Sequence, residues 1–188
     1  MTKKTSWRGF PTVTGFGANQ AIAALRKHRI APAPLLHRAG LSAHDFGKLV
    51  EHRVSAIAQG KLLDYAAEAM EDGVFGLHLA EQADPRDAGI LFYVASGGKN
   101  LNEALMLFAR YFRIVNEAVR LKLTRRPTGL IVEIQFVGLS RHSVSQNTEF
   151  GIGVLLKALR VVTGRNLRPS RAAFAHARST HLREFGRF

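Results

Sequence analysis

Between residues 101 and 137 the spacing of apolar side chains changes period, and that change limits what this chain can fold into. Leu101, Ala104, Leu105, Phe108, Tyr111 and Phe112 recur at helical spacing and lie on one face of an α-helix. Asn100 and Glu103 precede that face as a capping box, with Asn in the usual Ser/Thr place. Val119, Leu121 and Leu123 then alternate with Arg120, Lys122 and Thr124. Residues 125–129 (Arg-Arg-Pro-Thr-Gly) supply a turn, and residues 130–137 follow with Glu133 and Gln135 on one side. This pattern predicts a β-hairpin.

Helical spacing also runs through Val54, Ile57, Ala58, Leu62, Tyr65, Ala66 and Ala69, with Gly73 as a stop. It returns in Phe150, Val154, Leu155, Ala158, Leu159 and Val162, closed by Gly164. Shorter helices are predicted over 19–28, 35–40, 75–82 and 180–185. Residues 89–95, apolar throughout, form either a buried helix or a short buried strand, and residues 172–175 are a strand candidate. The fold class is therefore α+β, mostly helical, with a β-hairpin and a short additional strand forming a small sheet. Residues 1–18, with Gly9, Pro11, Gly15 and Gly17, read as an irregular lead-in, and residues 19–188 as one folded domain.

Composition narrows the function classes. The absence of cysteine excludes a disulfide framework, cysteine-bound zinc and a thiol nucleophile. No apolar stretch follows Lys3, Lys4 and Arg8 as a signal peptide requires, and no run approaches the ~20 apolar residues of a membrane span. A soluble cytoplasmic protein is expected. The formal net charge of +13 sits at the ends, where residues 1–60 and 141–188 each hold nine Lys/Arg against two acids. Such a field attracts nucleic acid. It also describes a solvated coat, which is favoured because basic and aromatic residues do not interleave as in RNA-binding segments.

Motifs of catalysis fail on spacing. Gly98-Lys99 resembles the end of a phosphate-binding loop, but Tyr93 and Asn100 occupy its glycine and Ser/Thr positions. Gly151 and Gly153 open a dinucleotide fingerprint that Leu156 breaks, and they lie inside an amphipathic helix. Val94 stands where a nucleophile elbow at Ser96 needs glycine. His176 and His181 make a poor metal pair across a strand–helix junction. Neither an enzyme, a cofactor nor a metal is expected. Glu149, near Asn147 and His142, has two readings: a carboxylate orienting a ligand in a pocket, or a first-turn acid complementing the helix dipole.

Four stretches in order resemble the N-terminal regulatory, arabinose-binding-like domain of AraC-type transcription regulators. Residues 35–41 (Leu-Leu-His-Arg-Ala-Gly-Leu) are similar to its early turn, and residues 62–79, ending in Val-Phe-Gly-Leu-His-Leu, to its helix and following Phe-Gly-Leu segment. Leu101, Ala104 and Leu105 with Ala109-Arg110-Tyr111 resemble its Ala-Arg-Tyr helix. Ala173-Phe174-Ala175-His176, followed by Glu184-Phe185, is similar to its Phe-x-His strand and closing segment. The chain departs from the family pattern at Asn100, at Phe112 and over 177–179. The resemblance implies a bacterial sensor that binds a small-molecule effector and modulates DNA binding by a C-terminal helix-turn-helix domain. Nothing here resembles that domain, so the chain is expected to be a fragment that meets DNA only through the missing part, with no membrane partner. A homodimer is compatible with this reading. A stand-alone basic nucleic-acid-binding protein is the alternative. The effector pocket is expected where the end of the 100–113 helix, with Tyr111 and Asn116, meets the entry to the 148–163 helix, with Asn147 and Glu149, beside Phe136 of the hairpin. A small, largely apolar effector with one polar end suits such walls.

Overall fold

The computed structural model describes residues 10–42, 53–138 and 144–176. Its first element is a strand, β1 (Thr12–Thr14), inside the expected irregular lead-in. Gly15 follows it, and α1 (Phe16–Lys27) begins three residues earlier than its apolar spacing indicates. In α2 (Pro32–Ala39) proline opens the first turn and Gly40, at φ 77°, ends the helix in the left-handed conformation. Strand β2 (Arg53–Ser55) pairs antiparallel with β1, Val13 opposite Val54. The Ser55 hydroxyl accepts from the Ala58 amide and so caps α3 (Ala56–Ala69).

Helix α4 (Phe75–Gln82) falls on the predicted residues. A 3₁₀ turn, Pro85–Ala88, leads into α5 (Ile90–Ser96), which resolves the ambiguous apolar run as a helix. Leu91, Phe92 and Ala95 of α5 are buried, whereas Ile90 and Tyr93 are exposed. In α6 (Leu101–Tyr111) the Asn100 side chain accepts from the Glu103 amide at 3.0 Å, and Glu103 accepts from the Lys99 amide at 2.9 Å. That capping arrangement was legible; the exposure of Leu101 was not. Leu101 lies at the solvent side of its helix end, while Ala104, Leu105 and Phe108 are buried.

The hairpin consists of β3 (Val119–Arg126) and β4 (Gly129–Phe136), with Val119 opposite Phe136 and Arg126 opposite Gly129. Helix α7 (Ser145–Thr163) then crosses the molecule to Gly164, at φ 62°. The α+β class, mostly helical with a hairpin, holds as predicted. The additional strands are β1 and β2, however, and not residues 172–175. Those residues find no strand partner; Ala172, Ala173 and Ala175 are exposed, and the chain is anchored at the next residue, where His176 meets Glu149. The helix predicted over 180–185 lies outside the described residues.

Helix α7 ties two cores together. Phe150 joins Leu25, Leu63, Phe75 and Leu79 in the helical half. Leu159 packs with Ala104 and Leu105, and Leu123, Leu130 and Val132 of the hairpin cover them. Between these two cores the packing is incomplete.

Candidate functional site

The gap is a partly open cavity of about 120 Å³ bounded by β1, α5, α6, the hairpin and the first half of α7. Six of the chain's twelve phenylalanines line it: Phe16, Phe92, Phe108, Phe112, Phe136 and Phe150. Phe108 and Phe112 stand 5.2 Å apart, tilted, and Phe16 and Phe150 5.5 Å apart. The wall follows from periodicity. Alternation along β3 and β4 turns Val119, Leu121, Ile134 and Phe136 to one side, and helical spacing aims Phe108 and Phe112 of α6 and its following turn at the same space.

One edge of the wall is cinched by hydrogen bonds that sequence spacing does not reveal. The Thr14 amide donates to the Val115 carbonyl at 2.8 Å, and the Glu117 amide to the Thr12 carbonyl at 2.9 Å. The Arg53 guanidinium donates to the Thr12 hydroxyl and to the carbonyls of Thr12 and Ile114. Glu117 in turn accepts from the Thr12 amide and hydroxyl, which hold its carboxyl below the usual range. Strand β1 is thus clamped between β2 and residues 114–117, bringing Val13, Thr14 and Asn116 to the cavity.

Of the five residues expected at a pocket, Asn116, Phe136 and Asn147 line this cavity, and Tyr111 and Glu149 do not. Tyr111 packs beside the Leu91–Phe108 cluster, with the Arg110 guanidinium 5.4 Å from its ring centre. Glu149 is two residues on from Asn147, and a helix turns through ~200° in that interval, so it points to the other side of α7. There it is 2 % exposed, with Oε1 2.8 Å from Nε2 of His176 and Oε2 without a hydrogen-bond partner. Burial pushes the Glu149 carboxyl up, opposed by the His176 hydrogen bond and charge, while Asp64 and Asp72 push it further up. Burial likewise raises Asp64, against hydrogen bonds donated by the Gln146 amide and the Ser145 hydroxyl.

Sequence spacing missed Gln59, Thr14, Gly151 and the role of His176. Gln59 carried a signal: a polar residue among the apolar positions of α3, it is 4 % exposed and lines the cavity. The ring of phenylalanines had none beyond ordinary amphipathic spacing. Among the described residues no three His, Asp or Glu side chains converge as metal ligands, and no helix is long and apolar enough to cross a membrane.

Residues 30–188 match the family model described as the arabinose-binding domain of AraC transcription regulators, N-terminal. No curated protein matches the chain.

Proposed function

Because the chain belongs to the family of N-terminal arabinose-binding domains of AraC transcription regulators, a regulatory and not an enzymatic family, we propose that it is the effector-sensing part of a transcriptional switch. The effector binds in the cavity beside α7, with Asn116, Asn147 and Phe136 among its contacts. Occupancy biases DNA binding by a helix-turn-helix domain C-terminal to the sensor.

The observation that carries this reading is the double duty of one helical turn. Asn147, Thr148, Phe150 and Gly151 line the cavity, while Glu149 between them holds His176 of the segment that leaves α7. A ligand that moves this turn therefore moves the anchor of the chain leading onward. Coupling of this kind is typically ~1–3 kcal/mol, enough for a ~5–150-fold change in affinity. The test is a thermal-shift screen of small apolar metabolites. A bound compound at 100 times its dissociation constant adds about 2.7 kcal/mol. Weaker binding of the hits to Phe136→Ala, and of those bearing a hydrogen-bond acceptor to Asn147→Leu, supports the site, and hits indifferent to both place the effector elsewhere.

A second reading rests on charge. Arg125 and Arg126 at the hairpin tip and Arg165, Arg168 and Arg171 after α7 are exposed, and none has an ion-pair partner among the described residues. Leu167 packs in the cluster that holds Leu123 and Leu130, so both arginine runs share one pole. A nucleic-acid-binding protein would use that pole. Residues 1–188 are expected to show only weak duplex binding, without sequence preference, that falls steeply with salt. A sequence-selective footprint at physiological salt would replace the sensor reading with this one.

A further inference from the structure

The cavity's few polar groups have a defined hydrogen-bonding sense. The Ala18 amide donates to Gln59 at 3.1 Å, which fixes the accepting atom as the carbonyl Oε1 and turns Nε2 toward Asn147. That Nε2 donates to Asn147 Oδ1 at 3.1 Å, so Asn147 offers its NH₂ group to anything else it meets. Asn116 is oriented the same way, because its Oδ1 accepts from the Ala118 amide at 2.9 Å. The Thr148 hydroxyl donates to the Val144 carbonyl at 2.8 Å. No charged residue is among those that line the cavity. The site is therefore a ring of apolar side chains with amide N–H donors and two threonine hydroxyls, Thr14 and Thr148, at its edge and no cation to neutralise an anion.

We propose that this cavity selects a small, mainly apolar molecule bearing an uncharged carbonyl acceptor, and that it is not built for a pentose. The inference rests on the cavity being the effector site. A pentose carries several hydroxyl donors, which would meet phenylalanine and leucine side chains in place of acceptors, an unfavourable exchange for water. A carboxylate would be buried without a counter-charge, which is also unfavourable. A carbonyl needs only donors. In size, ~120 Å³ approaches the ~150 Å³ apolar cavity that holds benzene, so a single substituted ring or a short chain is the right scale. Gly151 marks the mouth: it lines the cavity yet is exposed, and a Cβ added there meets no atom within 4 Å.

Four probes separate the alternatives by calorimetry or ligand-observed NMR on residues 1–188: acetophenone, ethylbenzene, benzoate and L-arabinose. Acetophenone should bind best, ethylbenzene about two- to tenfold more weakly for lack of the hydrogen bond, and benzoate and arabinose more weakly still. Asn147→Leu should lower acetophenone affinity by the same two- to tenfold and leave ethylbenzene unchanged. Gly151→Leu, placed at the open mouth, should weaken both aromatic probes, with the thermal unfolding of each variant recorded to show that it folds. If neither aromatic probe binds, or if Gly151→Leu leaves their binding unchanged, the cavity is not the effector site and both readings fall. If both bind, respond to Gly151→Leu and ignore Asn147→Leu, the acceptor inference alone falls. Arabinose or benzoate binding more tightly than acetophenone, and blocked by Gly151→Leu, overturns the ligand class while keeping the site.

Discussion

Helix α7 meets its neighbours in two opposite ways over the same two turns. Toward α4 the backbones touch: the Gly76 amide donates to Gln146 Oε1 at 2.7 Å, and Gln146 Nε2 donates to the Gly73 carbonyl. A Cβ on Gly76 would collide with the backbone carbonyl of Gln146. Farther along, Lys157 donates to the carbonyls of Glu81 and Ala83 and closes the other end of α4. Toward the hairpin and α6 the helix stands back, and a Cβ on Gly151 would meet nothing. One side is built for rigidity, with its helix ends satisfied by side chains of α7, and the other keeps space. The proposed sensing role needs both, because a ligand shifts an equilibrium only where it binds one arrangement better than another. A firmly held helix can then carry that difference to the rest of the chain.

The largest effects should separate two phenylalanines. Phe75, 2 % exposed, belongs to the packed side, and Phe108, 8 % exposed, borders the cavity. Phe75→Ala should cost about 4–5 kcal/mol and Phe108→Ala about 3 kcal/mol, because the second ring already lacks neighbours on one face. Chemical denaturation measures both. Equal costs would mean that the hairpin closes on α7 in solution and that the two sides do not differ.

Gly76→Ala should follow, destabilising by about 2–3 kcal/mol as α4 and α7 are forced apart. A near-neutral result would show that the two backbones are not in contact.

Next comes the buried carboxylate. With its folded pKa raised, Glu149 keeps its proton to higher pH in the folded state than in the unfolded one. As pH rises above the ordinary carboxylate range, the unfolded chain releases that proton first, so stability falls until Glu149 also ionises. Asp64 acts in the same sense. The domain should therefore gain stability as pH is lowered from neutral toward the ordinary carboxylate range. Below that range Asp84, at about 2, and Glu117 act in the opposite sense, and stability is lost. Glu149→Gln should flatten the upper part of this profile, an effect on the order of 1 kcal/mol. An unchanged profile between wild type and Glu149→Gln would remove Glu149 as its source.

What could be read from the sequence follows the range of the interaction. Caps and periods are local, so α4, α6 and the hairpin were legible from Asn100, Glu103 and the alternation after Val119. Strand β1 was not, because Thr-Val-Thr becomes a strand only when Arg53–Ser55, about forty residues on, lies beside it. The strand expected over 172–175 does not form: three of its four residues are alanine, which favours strands little, and the run pairs with neither sheet. Asn116, Asn147 and Phe136 were reachable because they flank the elements that meet. Glu149 is not the first-turn acid that its spacing suggested, because α7 already begins at Ser145; it lies in the second turn and meets His176, which comes from a distant segment.

The smallest effect is the sharpest probe of the open side. Gly151 is an interior residue of α7, where glycine costs about 0.5–1 kcal/mol relative to alanine because more backbone freedom is lost on folding. Nothing in the packing requires it, since a Cβ meets no atom. Gly151→Ala should therefore stabilise the ligand-free domain by about 0.5–1 kcal/mol. The added methyl group should narrow the cavity mouth and weaken an apolar ligand, so stability and binding move in opposite directions. Denaturation curves with and without acetophenone read both quantities on one variant. If Gly151→Ala destabilises the free domain, the space beside α7 is filled in solution, and the contrast between its two sides is lost. If it stabilises the domain and tightens binding, Gly151 does not border the bound ligand, and the cavity loses its claim to be the effector site.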